Sequence, residues 1–367
     1  MASSTEKSVI FTADDFGLAD ALNGAVALAH RKGLLACASL MAAGPRTQEA
    51  LSLARTLPGL CLGVHLTLIQ GRAVLAPEAV PLLVDSRGFF PHNPVATGWR
   101  YFCQPRLWPE IRRELAAQIE VVLEAGLRVW HLNGHLNLHL HPSIFPVVAD
   151  LAREYGIPAV RLAREDWRTT LALAPDGPLP KIAQGLIFAW LSRRAERIAR
   201  AAGLVFNDHL FGLTNDGRMT EAHVTGLVDR LQPGVTEIYC HPGLSPDPEL
   251  TRWAPRYRRR EELAALLSPR LKAALAAAGL SGPAFAQDSK MGMLNSQEIL
   301  EKSAEGKRAL AQVQAADKKY AEYSGESAVL SFKEFFEDEL LVKRQALWLA
   351  QGISCFGASP ACPTVTL

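Results

Sequence analysis

Short apolar runs and amphipathic helical segments take turns along this chain, and that alternation limits its fold more than any other feature. Strand-like runs lie at Ser8 to Thr12, Leu34 to Met41, Leu60 to Leu66, Leu127 to Trp130, Gly156 to Leu162, Leu204 to His209 and Gly234 to Cys240. Apolar residues recur with helical period over Ala19 to Lys32, Thr47 to Leu57, Pro109 to Ala125, Ser143 to Tyr155, Ile182 to Ala202, Met219 to Leu231 and Arg258 to Ala278. A strand–helix–strand series demands parallel strands, because each helix returns the chain to the edge where the last strand began. Seven such units suit a closed or nearly closed barrel better than an open sheet. The sequence therefore predicts an α/β fold, a distorted seven-stranded (β/α) barrel over residues 8–280.

Composition fits a large globular core: of 367 residues, 49% are hydrophobic and 21% charged. A net charge of +2 without a concentrated Lys/Arg stripe argues against nucleic acid as a partner. The strongest basic run, Arg256 to Arg260, reads either as a solvated helix start or as a contact for phosphates or acidic lipid headgroups. No apolar run reaches membrane-spanning length, and the N-terminus lacks the apolar core of a secretion signal. Six cysteines without metal-type spacing read as reduced thiols, and together these features predict a cytoplasmic protein. Peripheral membrane contact and a homodimer both stay open. Between the third strand and its helix lies a long insertion, Gln70 to Pro109, rich in Pro and Gly and carrying Phe89, Phe90, Trp99, Tyr101, Phe102 and Trp108. Its aromatic rings either stack on a sugar or apolar ligand or pin the loop to the barrel.

Chemistry in a barrel collects at the C-terminal ends of the strands. The stretch His131 to His141 holds four histidines directly after a strand-like run. As extended chain it would turn His131, Asn133, His135, Asn137, His139 and His141 to one face. Other predicted strand ends supply Asp14 and Asp15, His65, Arg161, Asp208 and His209, and His241. Each alone has an ordinary reading: the aspartates can cap a helix, His65 can be a core histidine, and His241 before Pro242-Gly243 can sit in a turn. Jointly they favour a divalent metal ion held by one carboxylate and two imidazoles, with positions left for water and substrate.

Four motifs, Thr12-Ala13-Asp14-Asp15-Phe16-Gly17, Gly63-Val64-His65-Leu66-Thr67-Leu68, His131-Leu132-Asn133-Gly134-His135 and Tyr239-Cys240-His241-Pro242-Gly243, resemble those of the YdjC-type carbohydrate deacetylases. Ala38 to Pro45, with the Asn-Gly-His form of the third motif, resembles the hopanoid-biosynthesis-associated branch. Many members carry Asp-Ser where this chain has Asn133-Gly134. The resemblance implies a metal-dependent hydrolase that removes the acetyl group from an N-acetylglucosamine-type sugar or glycolipid, with one Mg²⁺ or Zn²⁺. It implies Asp15, His65 and His135 as metal ligands, Asp14 as general base oriented by Arg161, and His241 as general acid. His139 is then a reserve ligand, and His131, His141 and Asp208 fall behind the ligands or in the substrate site. A metal-dependent phosphoesterase or other amidohydrolase, and a catalytically silent sugar- or lipid-binding barrel, are the alternatives.

From Ser281 the chain changes from Arg-rich to Lys-rich. Residues 281–367 read as a C-terminal extension, helical to about residue 350 and then unstructured, and Asn295 to Arg308 weakly resembles the helices of Skp/OmpH-like chaperones.

Overall fold

The structure, a computed structural model, describes residues 7–280. The expectations for the extension from Ser281 onward lie outside these residues. Seven strands, β1 (Lys7–Phe16), β2 (Cys37–Leu40), β3 (Cys61–Leu66), β4 (His131–Gly134), β5 (Ala159–Val160), β6 (His209–Phe211) and β7 (Gly234–Cys240), form one parallel sheet in the order β5-β4-β3-β2-β1-β7-β6. This is the expected distorted seven-stranded barrel. Its edge strands meet through isolated bridges, Ala159 with Val205 and Glu165 with Leu210. The Asn207 side chain completes the seam, accepting from the Leu162 N–H and donating to the Leu162 carbonyl, each at 2.8 Å. A side-chain amide thus stands in where a backbone ladder would run, which lets the barrel close while leaving it distorted there.

Alternation along each strand sorts the side chains. Val9, Phe11 and Ala13 of β1 join the apolar layer that also holds Val26 and Ala29 from the helix Asp20–Lys32. Thr12 and Asp14 point the other way, into the barrel, toward Ser39, His131, Asn133, Arg161 and Glu237. Part of the interior is therefore filled by a polar network, set above a small apolar group of Ile10, Cys37, Cys61 and Trp130. Being buried, that network must satisfy its own hydrogen bonds.

Two strand ends and one helix need correction. β4 stops at Gly134, and His135–Leu140 forms a tight 3-10 turn in which Leu136 and Asn137 both have φ of 53°. A Cβ on Gly134 would lie 2.9 Å from the Cβ of His139, so the chain can double back there only through glycine. The six polar residues from His131 to His141 consequently do not share one face. β6 begins at His209, which puts Asp208 at the strand's N-terminal end, opposite the rim formed by the C-terminal strand ends. Its Oδ2 accepts from the Val235 N–H at 2.9 Å. The last helix is two, Arg259–Leu267 and Pro269–Ala277, because Pro269 cannot continue the first and Ser268 caps the second.

The long insertion is tethered. Helix Trp108–Glu124 presents Glu114, which accepts from the N–H groups of Val74 and Leu75, and Gln118, which brackets the peptide groups of Thr67. Phe90 and Tyr101 pin the loop from within, whereas Trp99 and Phe102, on the helix Pro94–Cys103, are 70% and 55% exposed.

Candidate active site

A bulge in β1 decides how the adjacent aspartates divide. The register with β2 shifts between Ala13 and Phe16, and Asp15 takes φ of 62°. In that left-handed kink Asp15 turns to the catalytic rim while Asp14 keeps facing the interior. Asp15 Oδ1 lies 3.5 Å from His65 Nε2, at the end of β3, and 3.3 Å from His135 Nδ1, just past β4. One ligand atom from each of the three falls within 4.8 Å of the others. Asp15 Oδ1 is buried and has no hydrogen-bond partner among the described residues. An unpartnered carboxylate oxygen facing two ring nitrogens is a donor set that a divalent cation would satisfy.

The interior network fixes the state of His65. Asn133 donates from Nδ2 to Asp14 Oδ1 at 3.1 Å and to Ser39 Oγ at 2.7 Å, so its Oδ1 is the acceptor that faces His65 Nδ1 at 2.8 Å. His65 must therefore carry its proton on Nδ1, leaving the Nε2 lone pair toward Asp15. Burial also pushes the His65 imidazole toward its neutral form.

Asp14 is gripped in bidentate fashion by Arg161, with Nη1 2.5 Å from Oδ2 and Nη2 3.0 Å from Oδ1. Burial alone would raise this carboxyl; the guanidinium outweighs it and holds Asp14 well below the usual carboxylate range. Arg161 is itself buried between Asp14 and Glu237, whose Oε1 accepts from its Nη2 at 2.7 Å and from Thr12 at 2.8 Å.

On the far side of Asp15 stands His241, its Nε2 3.9 Å from Asp15 Oδ2 and its Nδ1 3.4 Å from Asp216 Oδ1. Tyr257 donates its hydroxyl to the other Asp216 oxygen. Burial lowers His241 to about 4 despite the aspartates facing it, and burial raises Asp216 well above its ordinary value. His241 Nδ1 and Asp216 Oδ1 face each other, and neither atom has another hydrogen-bond partner among the described residues. Arg259 closes this side, with Nη1 donating to the His241 carbonyl at 3.3 Å and Nη2 4.0 Å from Asp15. A cavity of about 320 Å³ opens onto the group, lined by Asp15, His135, Leu136, Gln70, Tyr257 and Arg259, which is room for a small ligand. A second cavity of about 70 Å³, at the opposite end beneath Arg161, is too small for a sugar.

Sequence reasoning did not pick out Asp216, Tyr257 or Arg259. The signal was present: Asp216-Gly217 is a turn dipeptide beyond the true end of β6, and the basic run at 256–260 alternates, sending Tyr257 and Arg259 inward. Arg256, Arg258 and Arg260 remain exposed. His139 stands apart from the Asp15 group, its Nε2 3.0 Å from the Arg161 carbonyl. His131 lies deeper in the barrel, where Ser39 meets its Nε2 at 3.0 Å.

Residues 8–277 match the family model described as YdjC-like protein. The chain belongs to the YdjC-like family. A carbohydrate deacetylase of Geobacillus stearothermophilus is 32% identical over 275 residues, which span 74% of this chain and 94% of the relative. One from Thermoanaerobacter pseudethanolicus is 27% identical over 255 residues, 70% of this chain and 88% of that one. A solved structure from Enterococcus faecalis V583, described as a cellobiose-phosphate cleavage protein, superposes with a TM-score of 0.57 at 26% identity, covering 76% of this chain and 96% of that one. Among the described residues no helix is long and apolar enough to cross a membrane.

Proposed function

We propose that this YdjC-like barrel is a metal-dependent carbohydrate N-deacetylase. The observation that carries the reading is the unpartnered Asp15 oxygen between His65 and His135, beneath a cavity large enough for a sugar ring. The names of the relatives support the reaction class. A divalent cation, Mg²⁺ or Zn²⁺, held by Asp15, His65 and His135 would acidify water and polarise an amide carbonyl.

The remaining work falls to the chain's own groups. Asp14, kept ionised and aligned by Arg161, takes the proton released as water adds to the acetamide carbon. His241 faces the group from the other side and delivers a proton from Nε2 to the departing amine nitrogen. Asp216 resupplies it through Nδ1, and Tyr257 steadies the carboxyl. The products are free acetate and a sugar amine. Asn133 fixes the His65 tautomer without adding a further buried negative charge beside Asp14.

The acceptor we favour is an N-acetylglucosamine-type sugar, either on a hopanoid lipid or in a chito-oligosaccharide, met in the cytoplasm. Acetate release from chitobiose and from an N-acetylglucosaminyl hopanoid, measured side by side, tests this. Release from either supports the deacetylase and the faster acceptor selects the branch; release from neither, with cation bound, rejects it.

A further inference from the structure

Two helices at the catalytic end of the barrel expose apolar side chains that their neighbours leave uncovered. Helix Pro178–Ala201 enters from the loops beyond β5, so its first turns lie at the rim where Asp15 and His135 sit. It packs against the His135–Leu140 turn. Leu179, Leu186, Ile187 and Trp190 are 77%, 57%, 58% and 60% exposed, and their spacing places them on one stripe. Three, four and seven residues beyond Trp190 the same stripe continues as Arg193, Arg194 and Arg197, all exposed. Glu196 sits off this stripe, turned to Arg164 and Arg200.

The second helix, Pro94–Cys103, meets His141 at the end of the His135–Leu140 turn and also exposes apolar side chains. Val95 and Trp99 project outward, and Phe102 packs edge-on against His141 with ring centres 6.3 Å apart. Leu136, 39% exposed, lies in the turn against which Pro178–Ala201 packs and also lines the cavity at Asp15.

We propose that the catalytic end of this barrel docks on an anionic bilayer surface through these two helices. The order along the longer stripe, apolar residues, then Trp190, then three arginines, matches the passage from acyl boundary through the interfacial layer to phosphate. Charge decides against a second copy as the occupant. A self-paired face would bring the three arginines against each other or against apolar residues, and no acidic side chain on the stripe would neutralise them. Anionic headgroups do neutralise them. The surface does not depend on the chemistry of the site; it sets where the cavity opens.

The test is co-sedimentation of the full chain with vesicles of phosphatidylcholine, with and without phosphatidylglycerol. The expected result is binding that rises with phosphatidylglycerol, weakens with salt and shifts tryptophan emission to the blue. Leu186→Ser with Ile187→Ser should weaken partitioning about tenfold or more, since it removes two inserted side chains. Arg193→Glu with Arg194→Glu should abolish the preference for phosphatidylglycerol. Circular dichroism melting should match the parent in both, because these side chains are exposed. Failure of the parent chain to sediment with either vesicle overturns the proposal, as do variants that bind like the parent. A concentration-dependent dimer that Trp190→Ser converts to monomer would also overturn it, assigning the face to a second copy.

Discussion

Glu262, on the helix Arg259–Leu267, is wholly buried and ties two parts of the site together. Its Oε2 accepts from the His241 N–H at 2.6 Å and its Oε1 from the Met219 N–H at 2.9 Å, joining the end of β7 to the loop that carries Asp216. Burial raises its carboxyl from 4.5 to about 7, against the pull of those N–H groups and Arg259. A folded-state value above the unfolded one means that the native protein holds the extra proton between the two. The associated stability is present below pH 4.5 and lost as pH rises through about 7. At about 1.4 kcal/mol per pH unit, that interval makes about 3 kcal/mol lost by pH 8. Glu262→Gln removes this slope but sets an NH₂ against one backbone N–H, at a cost of about 1–3 kcal/mol at every pH. Urea unfolding followed by tryptophan fluorescence should find the variant less stable than the parent at pH 5, and as stable or more so at pH 8. A difference that stays constant between those pH values would show that Glu262 does not carry the extra proton in the folded state.

Arg161→Met should cost about 3–5 kcal/mol in the same unfolding assay, since Asp14 and Glu237 lose their shared counter-ion, and adding Glu237→Gln should recover part of it. Asn133→Ala frees the Nδ1 side of His65 and should weaken divalent-cation affinity about 10–100-fold by calorimetric titration. His139→Ala, altering a ring that faces the Arg161 carbonyl, should leave that affinity unchanged. Asp216→Asn should lower kcat about 10²-fold with little change in KM, because the proton supply to His241 is lost while the cavity is intact.

All seven βα units were legible because parallel strands buried on both faces read as apolar runs, as in Val9 to Phe11 and Leu60 to Leu66. Strand ends were less so. Whether the chain continues past Gly134 depends partly on the Leu66 carbonyl of the neighbouring strand β3, which crowds that glycine and which no local pattern encodes. Starting β6 five residues early put Asp208 at the catalytic rim and hid Asp216, which the true register places there. The Asp14–Arg161 pairing was foreseeable once the fifth strand was oriented. The Asn133–Ser39–His131 chain was not, because it joins β2 and β4 over the intervening strand β3. The split of Asp14 from Asp15 rests on a bulge that sequence does not announce.

The most direct test of the account is acetate release from an N-acetylglucosamine substrate by the protein stripped of metal and then reloaded with Zn²⁺ or Mg²⁺, with bound metal counted in parallel. The expected result is about one ion per chain, activity that returns only on reloading, and loss of both ion and activity in His65→Ala. Full activity in the stripped protein, or a His65→Ala variant that keeps its ion, would contradict it.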